Sequence, residues 1–270
     1  MRLSRGTRAV LFTFVAVALA FVYLPLAILV VNSFNASKVF AWPPSSWTLH
    51  WWSLAVHNQG VRAALLTSVK AGAGATTIAI VLGSLIAFAV SRYSFFGRGV
   101  ISFVVVLPIA LPGIVTGIAL NSAFSTVLPH LGISFGLLTV VLGHATFCIV
   151  VVFNNVIARL RRTGVSLEEA SADLGASSVQ TFRFVTFPLV RSALAAGALL
   201  AFALSFDEIV VTTFTAGAGI QTLPQWIYAN LFRPNQAPIV NAVAAMLLLA
   251  FILPVYLAQR LSEGTGGGRV

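Results

Sequence analysis

Two adjacent carboxylates, Asp207 and Glu208, stand inside an otherwise apolar stretch of the sequence, SFDEIVV. The chain has only six acidic residues, so placing two of them together in such a run is unusual. Paired carboxylates can transfer protons, hold a metal ion or attract a cationic ligand. In hydrocarbon a charged side chain costs at least about 2.5 kcal/mol, so such residues normally face a cavity or an opposite charge.

The composition indicates that the solvent around these acids is a bilayer. The 270 residues are 59% hydrophobic and 8% charged, whereas a soluble domain typically carries about 25% charged residues. The only cysteine, Cys148, can form no internal disulfide. The net charge of +10 is spread thinly between apolar runs. We therefore expect contact with membrane lipid, and no nucleic-acid partner.

The apolar segments predict an all-α membrane protein with six transmembrane helices. The predicted spans are Ala9–Val31, Ala71–Val90, two helices within Gly99–Ala158 separated at Leu128–Gly132, Ser192–Phe214 and Ile239–Gln259. The arginines before the first span resemble a signal peptide. The apolar run is too long for one and no clear cleavage site follows, so we expect a retained helix.

The basic residues predict the orientation of these spans. Most of them fall on the side of the two termini, and only Lys38, Arg62 and Arg233 fall in the opposite loops. The positive-inside rule then places both termini in the cytoplasm. We expect three parts: a tail, first helix and external loop (1–61), a core of helices two to six (62–260) and a disordered cytoplasmic tail (261–270).

The longest predicted cytoplasmic connection, 159–191, is the expected place for an interior partner. Ser166, with Glu169 three residues later, predicts a capping box at the start of a short helix. Gly175 predicts a left-handed end to that helix, because glycine tolerates the conformation. The pattern predicts a compact knob beneath the membrane, and a plain connector is the alternative.

A second short helix is predicted in the same connection. Ser177 and Gln180 have the spacing of another cap, and Phe182, Phe184 and Phe187 would give the helix an apolar face. Pro188 predicts the end of this helix, because proline cannot continue the hydrogen-bond pattern, and the redirection of the chain into the fifth span.

The spacing of Glu169-Ala170-Ser171, Gly175 and Phe187-Pro188 resembles the EAA loop of the permease subunits of bacterial ABC importers. That family carries Glu-Ala-Ala, three residues, Gly, nine residues and Ile-x-Leu-Pro, and every spacing matches. The resemblance implies a type I ABC importer permease fold and a coupling loop that docks in a groove on a cytoplasmic ATPase. The residues expected to couple the chain to the ATPase are Glu168, Glu169, Ala170, Asp173, Gly175 and Pro188.

The same resemblance implies partners in the bacterial inner membrane and on both sides of it. These are a second permease subunit in a heterodimer, two cytoplasmic ATPase subunits, and a periplasmic or lipid-anchored solute-binding protein. The chain itself is not expected to be an enzyme or to bind a cofactor. Neither Lys38 nor Lys70 follows a GxxxxGK[ST] loop, so ATP is expected on the partner subunits.

No catalytic residue and no metal site is predicted. His144 and Cys148 are four residues apart and could share a helical face. Without a second pair of ligands nearby, packing or a single hydrogen bond is the expected role of each. An intramembrane enzyme built on the paired acids would need further histidine or acidic ligands, and no such motif is present.

Within the family, the stretches SFDEIVVTTFTAG and GHATFC are similar to spermidine and putrescine permeases. This similarity implies import of a polyamine or a related cation. Gly113 departs from it, because many of those permeases carry an acid there. An opine, a thiamine-like cation or a sugar is the alternative substrate. A secondary transporter is the remaining alternative, and it usually shows internal repeats, which the sequence lacks.

Helical periodicity predicts which faces the two acids occupy. On one continuous helix, Glu208 shares a small or polar stripe with Ser205 and Thr212, which predicts that it faces a cavity, whereas Asp207 falls on a more apolar face. Pro112 lies in a paired-proline segment that resembles the third helix of the family. These five residues form the predicted translocation path. The acids have two open roles: to attract a passing polycation, or to form an internal ion pair.

Overall fold

The computed structural model describes residues 4–38, 42–233 and 235–266, with side chains described as far as Ile252. Within these residues the secondary structure is helical, and no β-strand is present apart from one isolated bridge between Asn35 and Trp47. The chain divides into two compact units. One comprises Met1–Arg62 and Ile227–Val270, and the other Ala63–Trp226.

The first unit is built on two long helices and one short one. These are α1 (Arg5–Asn32), α2 (His50–His57) and α12 (Ala237–Gly266), and α12 packs against both of the others. The segment between α1 and α2 is tied down by tryptophans. The Trp51 Nε1 donates to the Asn35 carbonyl oxygen at 2.9 Å, and the Trp52 ring stacks on Phe34 with 4.9 Å between ring centroids.

The second unit contains the remaining helices. They are α3 (Gln59–Arg92, which begins in the first unit), α4 (Arg98–Ala110), α5 (Gly113–Val127), a 3₁₀ turn (Leu128–Leu131), α6 (Leu137–Thr163), α7 (Ser166–Asp173), α8 (Ser178–Thr181), a π-helical turn (Phe182–Thr186), α9 (Phe187–Phe206), α10 (Val210–Thr215) and α11 (Leu223–Leu231, which ends in the first unit). Helix α6 is the most buried of these and packs along α9.

Small residues allow the close packing of the helices around α6. A Cβ on Gly83 of α3 would lie 2.9 Å from the carbonyl oxygen of Ile149 in α6. A Cβ on Gly197 of α9 would lie 3.2 Å from the Cα of Val152 in α6. In a bilayer, where lipid is as apolar as leucine, such close backbone approach is a main source of helix association.

Five helices in the described part of the chain are long and apolar enough to cross a membrane. They are Arg5–Asn32, Gln59–Arg92, Gly113–Leu131, Leu137–Thr163 and Ser178–Phe206, while Arg98–Ala110 and Ala237–Ile252 are apolar but shorter. The backbone of α12 is helical as far as Gly266. It therefore reaches into the predicted tail 261–270, whose last four residues lie outside the described ones.

Two of the predicted spans are broken. The third divides between α4 and α5 at Leu111 and Pro112, whose backbone is extended. The fifth, predicted as one helix over Ser192–Phe214, is interrupted after Phe206, and α10 begins only at Val210. The prediction of a continuous fifth helix is wrong because the Glu208 carboxylate accepts a hydrogen bond from the Val211 backbone N–H at 2.8 Å, which favours the start of a new helix.

Candidate functional site

The connection after α6 forms a compact helical knob, here defined as α7, α8 and the turn between them. Helix α7 ends in a Schellman motif, in which Gly175 has φ +84°. The Ala176 N–H donates to the Ser171 carbonyl at 3.1 Å, and the Gly175 N–H donates to the Ala172 carbonyl at 2.9 Å. The hydroxyls of Ser171 and Thr181, 3.0 Å apart, join the two helices. The predicted glycine turn is confirmed.

The two predicted caps of the knob have different outcomes. The capping box at Ser177 is confirmed: its hydroxyl accepts from the Gln180 N–H at 3.3 Å, and its own N–H donates to the Gln180 side chain at 2.8 Å. The capping box at Ser166 is wrong, because Val165 occupies the cap position and provides no side-chain acceptor. Ser166 is already the first helical residue, one position too late to cap.

The predicted break at Pro188 is also wrong. The chain remains helical from Ser178 to Phe206, and Pro188 lies in the first turn of α9. The π-helical turn that precedes it accommodates the ring, since a wider turn changes the hydrogen-bond register that proline would otherwise disrupt. Within this run Phe182 packs edge-on to Phe88 of α3, with 5.8 Å between centroids.

One ion pair fixes the knob to the transmembrane helices. The Arg92 Nε donates to Glu168 Oε2 at 2.8 Å, and a second guanidinium nitrogen of Arg92 donates to Glu168 Oε1 at 2.9 Å. The Thr186 hydroxyl also donates to Glu168 Oε1, at 3.1 Å. Both charged side chains are largely buried. A bidentate pair of this kind is both stronger and more directional than a single contact, so it sets the orientation of α7 relative to α3.

The guanidinium of Arg92 also reaches the end of α6. It donates to the carbonyl oxygens of Gly164 at 3.1 Å and Leu160 at 3.5 Å. One side chain therefore holds the last turn of α3, the end of α6 and the start of α7. We call Arg92, Glu168 and Thr186 the clamp. The sequence offered only a weak signal for it: a basic residue in the last turn of one helix and an acid in the first turn of another, where helix dipoles favour them.

Three further predicted coupling residues lie on the surface of the knob. Glu169, Ala170 and Asp173 are exposed along α7. At the turn, Leu174 is 89% exposed and Val179 is 74% exposed. We call Leu174, Gly175 and Val179 the tip. An apolar tip that its own chain leaves uncovered is typical of a protein contact site.

Buried polar groups join α6 to both sides of the break in the fifth span. His144 of α6 is fully buried. Its Nδ1 lies 2.7 Å from the Ser205 hydroxyl in α9, and its Nε2 lies 2.8 Å from the Thr212 hydroxyl in α10. The Thr212 hydroxyl donates to the Glu208 carbonyl at 2.9 Å, so it must accept the Nε2 proton, and Nδ1 accepts from Ser205. The imidazole thus bridges the break.

The predicted stripe on the fifth span is buried rather than open. Ser205, Thr212 and Ala201 pack against α6 and are almost inaccessible. The prediction that the stripe faces a cavity is wrong because small residues serve close helix packing equally well. Asp207 is exposed and Glu208 is half-buried. Cys148 donates its thiol proton to the Ala201 carbonyl, with 3.3 Å between sulfur and oxygen.

The breaks in the third and fifth spans are neighbours. A Cβ on Gly113, the first residue of α5, would lie 3.7 Å from the side chain of Val210, the first residue of α10. Further along, the Asn121 amide donates to the Phe214 carbonyl at 2.6 Å. Helices α5 and α10 therefore lie side by side, and Pro112 is at about the same depth along the helices as Asp207 and Glu208. Non-helical backbone at membrane depth is tolerated only where protein or a water-filled cavity surrounds it.

We predict that His144→Ala lowers the thermal stability of the chain in detergent. The variant loses two interhelical hydrogen bonds and leaves two buried hydroxyls without this partner, a cost of about 1–3 kcal/mol. Cys148 is buried and is the only cysteine, so its labelling by a thiol-reactive fluorophore during heating reports unfolding. The melting midpoint should fall by several degrees. An exposed control, His130→Ala, should leave it unchanged, and an unchanged midpoint for His144→Ala would contradict the bridge.

Broken apolar helices joined to a helical knob that an ion pair holds in place are typical of a multi-spanning membrane transport protein. Residues 79–264 match the family described as "Binding-protein-dependent transport system inner membrane component", and the chain belongs to this family. It is thus an ABC importer permease of the inner membrane.

Curated relatives cover nearly the whole chain. The spermidine/putrescine transport system permease protein PotC of Shigella flexneri is 35% identical over 258 residues, which cover 94% of this chain and 96% of the relative. The putrescine transport system permease protein PotI of Escherichia coli (strain K12) is 34% identical over 232 residues, 84% of this chain and 82% of the relative.

A solved structure shares the fold. A bacterial ABC transporter involved in the import of the acidic polysaccharide alginate has a chain that superimposes with a TM-score of 0.73, covering 96% of this chain and 99% of that one at 17% sequence identity. This likeness confirms the expected permease fold and carries no information on the substrate.

Proposed function

We propose that the chain is one permease subunit of an ATP-driven type I importer that moves spermidine, putrescine or a closely related polyamine across the inner membrane. The observation that carries the proposal is an exposed carboxylate, Asp207, at a helix break inside an apolar span. The identity of the polyamine permeases named above, 34–35% over most of the chain, supports the substrate class.

The proposed topology has six spans with both termini in the cytoplasm. Helices α4 and α5 together form the third span, α9 and α10 together form the fifth, and α12 forms the sixth. The excess of basic residues on the side of the knob supports this orientation. The division into 1–61, 62–260 and 261–270 is proposed on the same grounds.

The proposed partners are a second permease, two cytoplasmic ATPase subunits that bind the ATP, and an external solute-binding protein. The tip is the proposed contact with an ATPase subunit, since it is the most exposed apolar part of the knob. The clamp would carry the motion of the knob to α3, because a bidentate ion pair resists both rotation and sliding of α7. Glu169 and Asp173 would lie at the margin of this contact.

The helix ends at the two breaks carry opposite partial charges and do not by themselves select the sign of a ligand. Helices α4 and α9 end there with a partial negative charge, and α5 and α10 begin there with a partial positive charge, so the free carboxylate must supply the preference for a cation. The Glu208 carboxylate is already engaged, because it accepts from the Val211 N–H and so caps α10. Asp207 keeps an exposed carboxylate. We therefore assign the attraction of the polycation to Asp207 and a positioning role to Glu208, with Ser205 and Thr212 holding the break through His144.

We predict that Asp207→Asn impairs polyamine uptake far more than Glu208→Gln. Loss of the Asp207 charge removes an attraction of at least about 1.4 kcal/mol, which corresponds to about tenfold in binding. Glutamine at position 208 keeps an oxygen that can accept from Val211, so its effect should stay below about threefold. The measurement is uptake of labelled spermidine and putrescine by cells that express the complete system, with ATPase activity and membrane content determined in parallel.

The possible results test the substrate assignment and the roles of the two acids separately. If the wild type imports neither polyamine, the substrate assignment is overturned while the membership in the importer family stands. If the wild type imports them and Asp207→Asn is normal, the cation path does not use Asp207. A larger loss in Glu208→Gln than in Asp207→Asn would reverse the roles that we assign to the two acids.

A further inference from the structure

A basic groove lies between the C-terminal end of α6 and the N-terminal part of α9, on the same side as the knob. Its volume is about 450 Å³. It is distinct from the clamp and from the helix breaks, and the proposed transport cycle uses none of its side chains. The lining residues are Asn154, Asn155, Ala158, Arg159, Arg162, Ser192 and Ala193.

The packing of the two helices explains why a groove is present. Helix α9 touches α6 at Gly197, and again where the Arg159 Nε donates to the Leu189 carbonyl at 2.8 Å. Between these contacts the two side chains of α9 that line the groove, Ser192 and Ala193, are short. The helices therefore leave space that polar side chains of α6 border.

The chemistry of the lining is that of an anion site. The hydrogen bond to Leu189 fixes the Arg159 guanidinium and leaves its other N–H groups available. Arg162 is exposed, and in the described part of the chain no acidic side chain forms an ion pair with either arginine. The Asn154 and Asn155 amides and the Ser192 hydroxyl add donors. The arginine fork matches phosphate oxygens in particular.

An exposed apolar surface continues from the groove toward the middle of the span. Leu199 is 69% exposed and Leu200 is 54% exposed. They lie seven residues after Ser192 and Ala193 respectively, hence on the same face of α9 and about 10 Å further along it. A basic polar groove beside an apolar surface two turns away has the dimensions of a phospholipid headgroup and the first part of its acyl chains.

We propose that this groove binds the phosphate of an anionic phospholipid, with Arg159 and Arg162 as the principal ligands. Basic pockets between transmembrane helices on the cytoplasmic side recognise acidic headgroups in this way. The binding itself requires no substrate, ATPase or solute-binding protein. Its test is therefore independent of the proposed polyamine transport.

The test compares lipid retention by the purified full-length chain in detergent. The probes are phosphatidylglycerol and phosphatidylcholine with the same acyl chains, and native mass spectrometry counts the molecules retained. Each basic residue near an anionic headgroup contributes about a fivefold preference, so the wild type should prefer phosphatidylglycerol by about 25-fold. Arg159→Gln/Arg162→Gln should lose this preference, and Arg159→Lys/Arg162→Lys, which keeps the charge without the fork, should retain part of it.

The matched control is Arg98→Gln/Arg161→Gln, which removes the same charge from arginines that do not line the groove. It should keep the preference of the wild type. Equal retention of phosphatidylglycerol by the wild type and the groove variant would overturn the proposal, as would an equal loss in the control. If inorganic phosphate binds the groove and no preference between the two lipids appears, the lipid assignment is overturned in favour of a soluble phosphate.

Discussion

Replacement of Arg92 by alanine is expected to reduce ATP-driven uptake by about tenfold or more, while the chain still inserts in the membrane. The substitution removes two charge-assisted hydrogen bonds to Glu168 and those to the carbonyls of Gly164 and Leu160. Each bond to a charged group contributes about 1.5–3 kcal/mol when its partner is left buried. A change of about 1.4 kcal/mol in the free energy that holds the knob against α3 already changes the population of this arrangement tenfold.

The physical reason for a defect in coupling, rather than in folding, is the position of the clamp. Arg92 lies at the end of α3 and Glu168 in the first turn of α7, so the core packing of α6 and α9 does not depend on them. Without the clamp, α7 still follows α6 in the chain and contacts α8 through the hydroxyls of Ser171 and Thr181, but it loses its ion pair with α3. Closure of the ATPase subunits would then move the knob without moving α3.

Three further variants distinguish the clamp from a general loss of charge. Glu168→Ala should reproduce the defect, and the exchange Arg92→Glu/Glu168→Arg should restore part of the uptake, because the pair is re-formed without the backbone contacts of Arg92. Arg98→Ala removes an exposed arginine at the start of α4 and should be neutral. Uptake and ATPase activity are measured on the assembled transporter. Normal uptake by Arg92→Ala, or an equal loss in Arg98→Ala, would refute the clamp.

Features that follow from local rules were predictable from the sequence. The left-handed end of α7 at Gly175 and the cap formed by Ser177 and Gln180 both depend on residues within one turn of each other. The long apolar helices are likewise set by composition over about 20 residues. In these cases the interactions that determine the structure lie within a short segment, so the sequence pattern of that segment predicts them.

The clamp and the helix breaks depend on contacts between residues far apart in the sequence, and such contacts leave no local sequence pattern. Arg92 and Glu168 are 76 positions apart, and either residue alone resembles an ordinary solvated charge at a helix end. His144 gave a better signal, because a polar ring inside an apolar span must find partners. The partners, Ser205 and Thr212, could not be chosen from among the many hydroxyls of the chain without the packing of α6 on α9 and α10.

The error about the polar stripe has a physical origin of its own. Glycine, alanine, serine and threonine along one face of a membrane helix permit close packing, and they also suit the wall of a water-filled path. The composition of this face therefore does not distinguish a packed helix interface from the wall of a water-filled path. The break at Asp207–Ile209 also shifts α10 relative to α9, so an angle calculated along one ideal helix no longer applies beyond Phe206.

Gly175→Val is expected to abolish uptake while insertion in the membrane remains normal. Gly175 has φ +84°, a conformation that costs a residue with a side chain about 1–2 kcal/mol, and no atom lies within 4 Å of its would-be Cβ. The valine therefore meets no clash inside the chain. Its effects are to distort the Schellman turn between α7 and α8 and to add bulk at the tip, where the ATPase subunit is proposed to bind. The measurement is ATP-driven uptake relative to the amount of assembled transporter.

Gly97 provides a matched control for backbone strain. It has φ +86° and equally open surroundings, but it lies in the turn between α3 and α4 and not in the knob. If strain alone mattered, Gly97→Val and Gly175→Val would impair uptake equally, and the role of the tip would be refuted. Glu169→Lys tests the same contact without changing the turn, because Glu169 is exposed on α7 and makes the charge of the knob negative there. Normal uptake by both Gly175→Val and Glu169→Lys would exclude the knob as the coupling element.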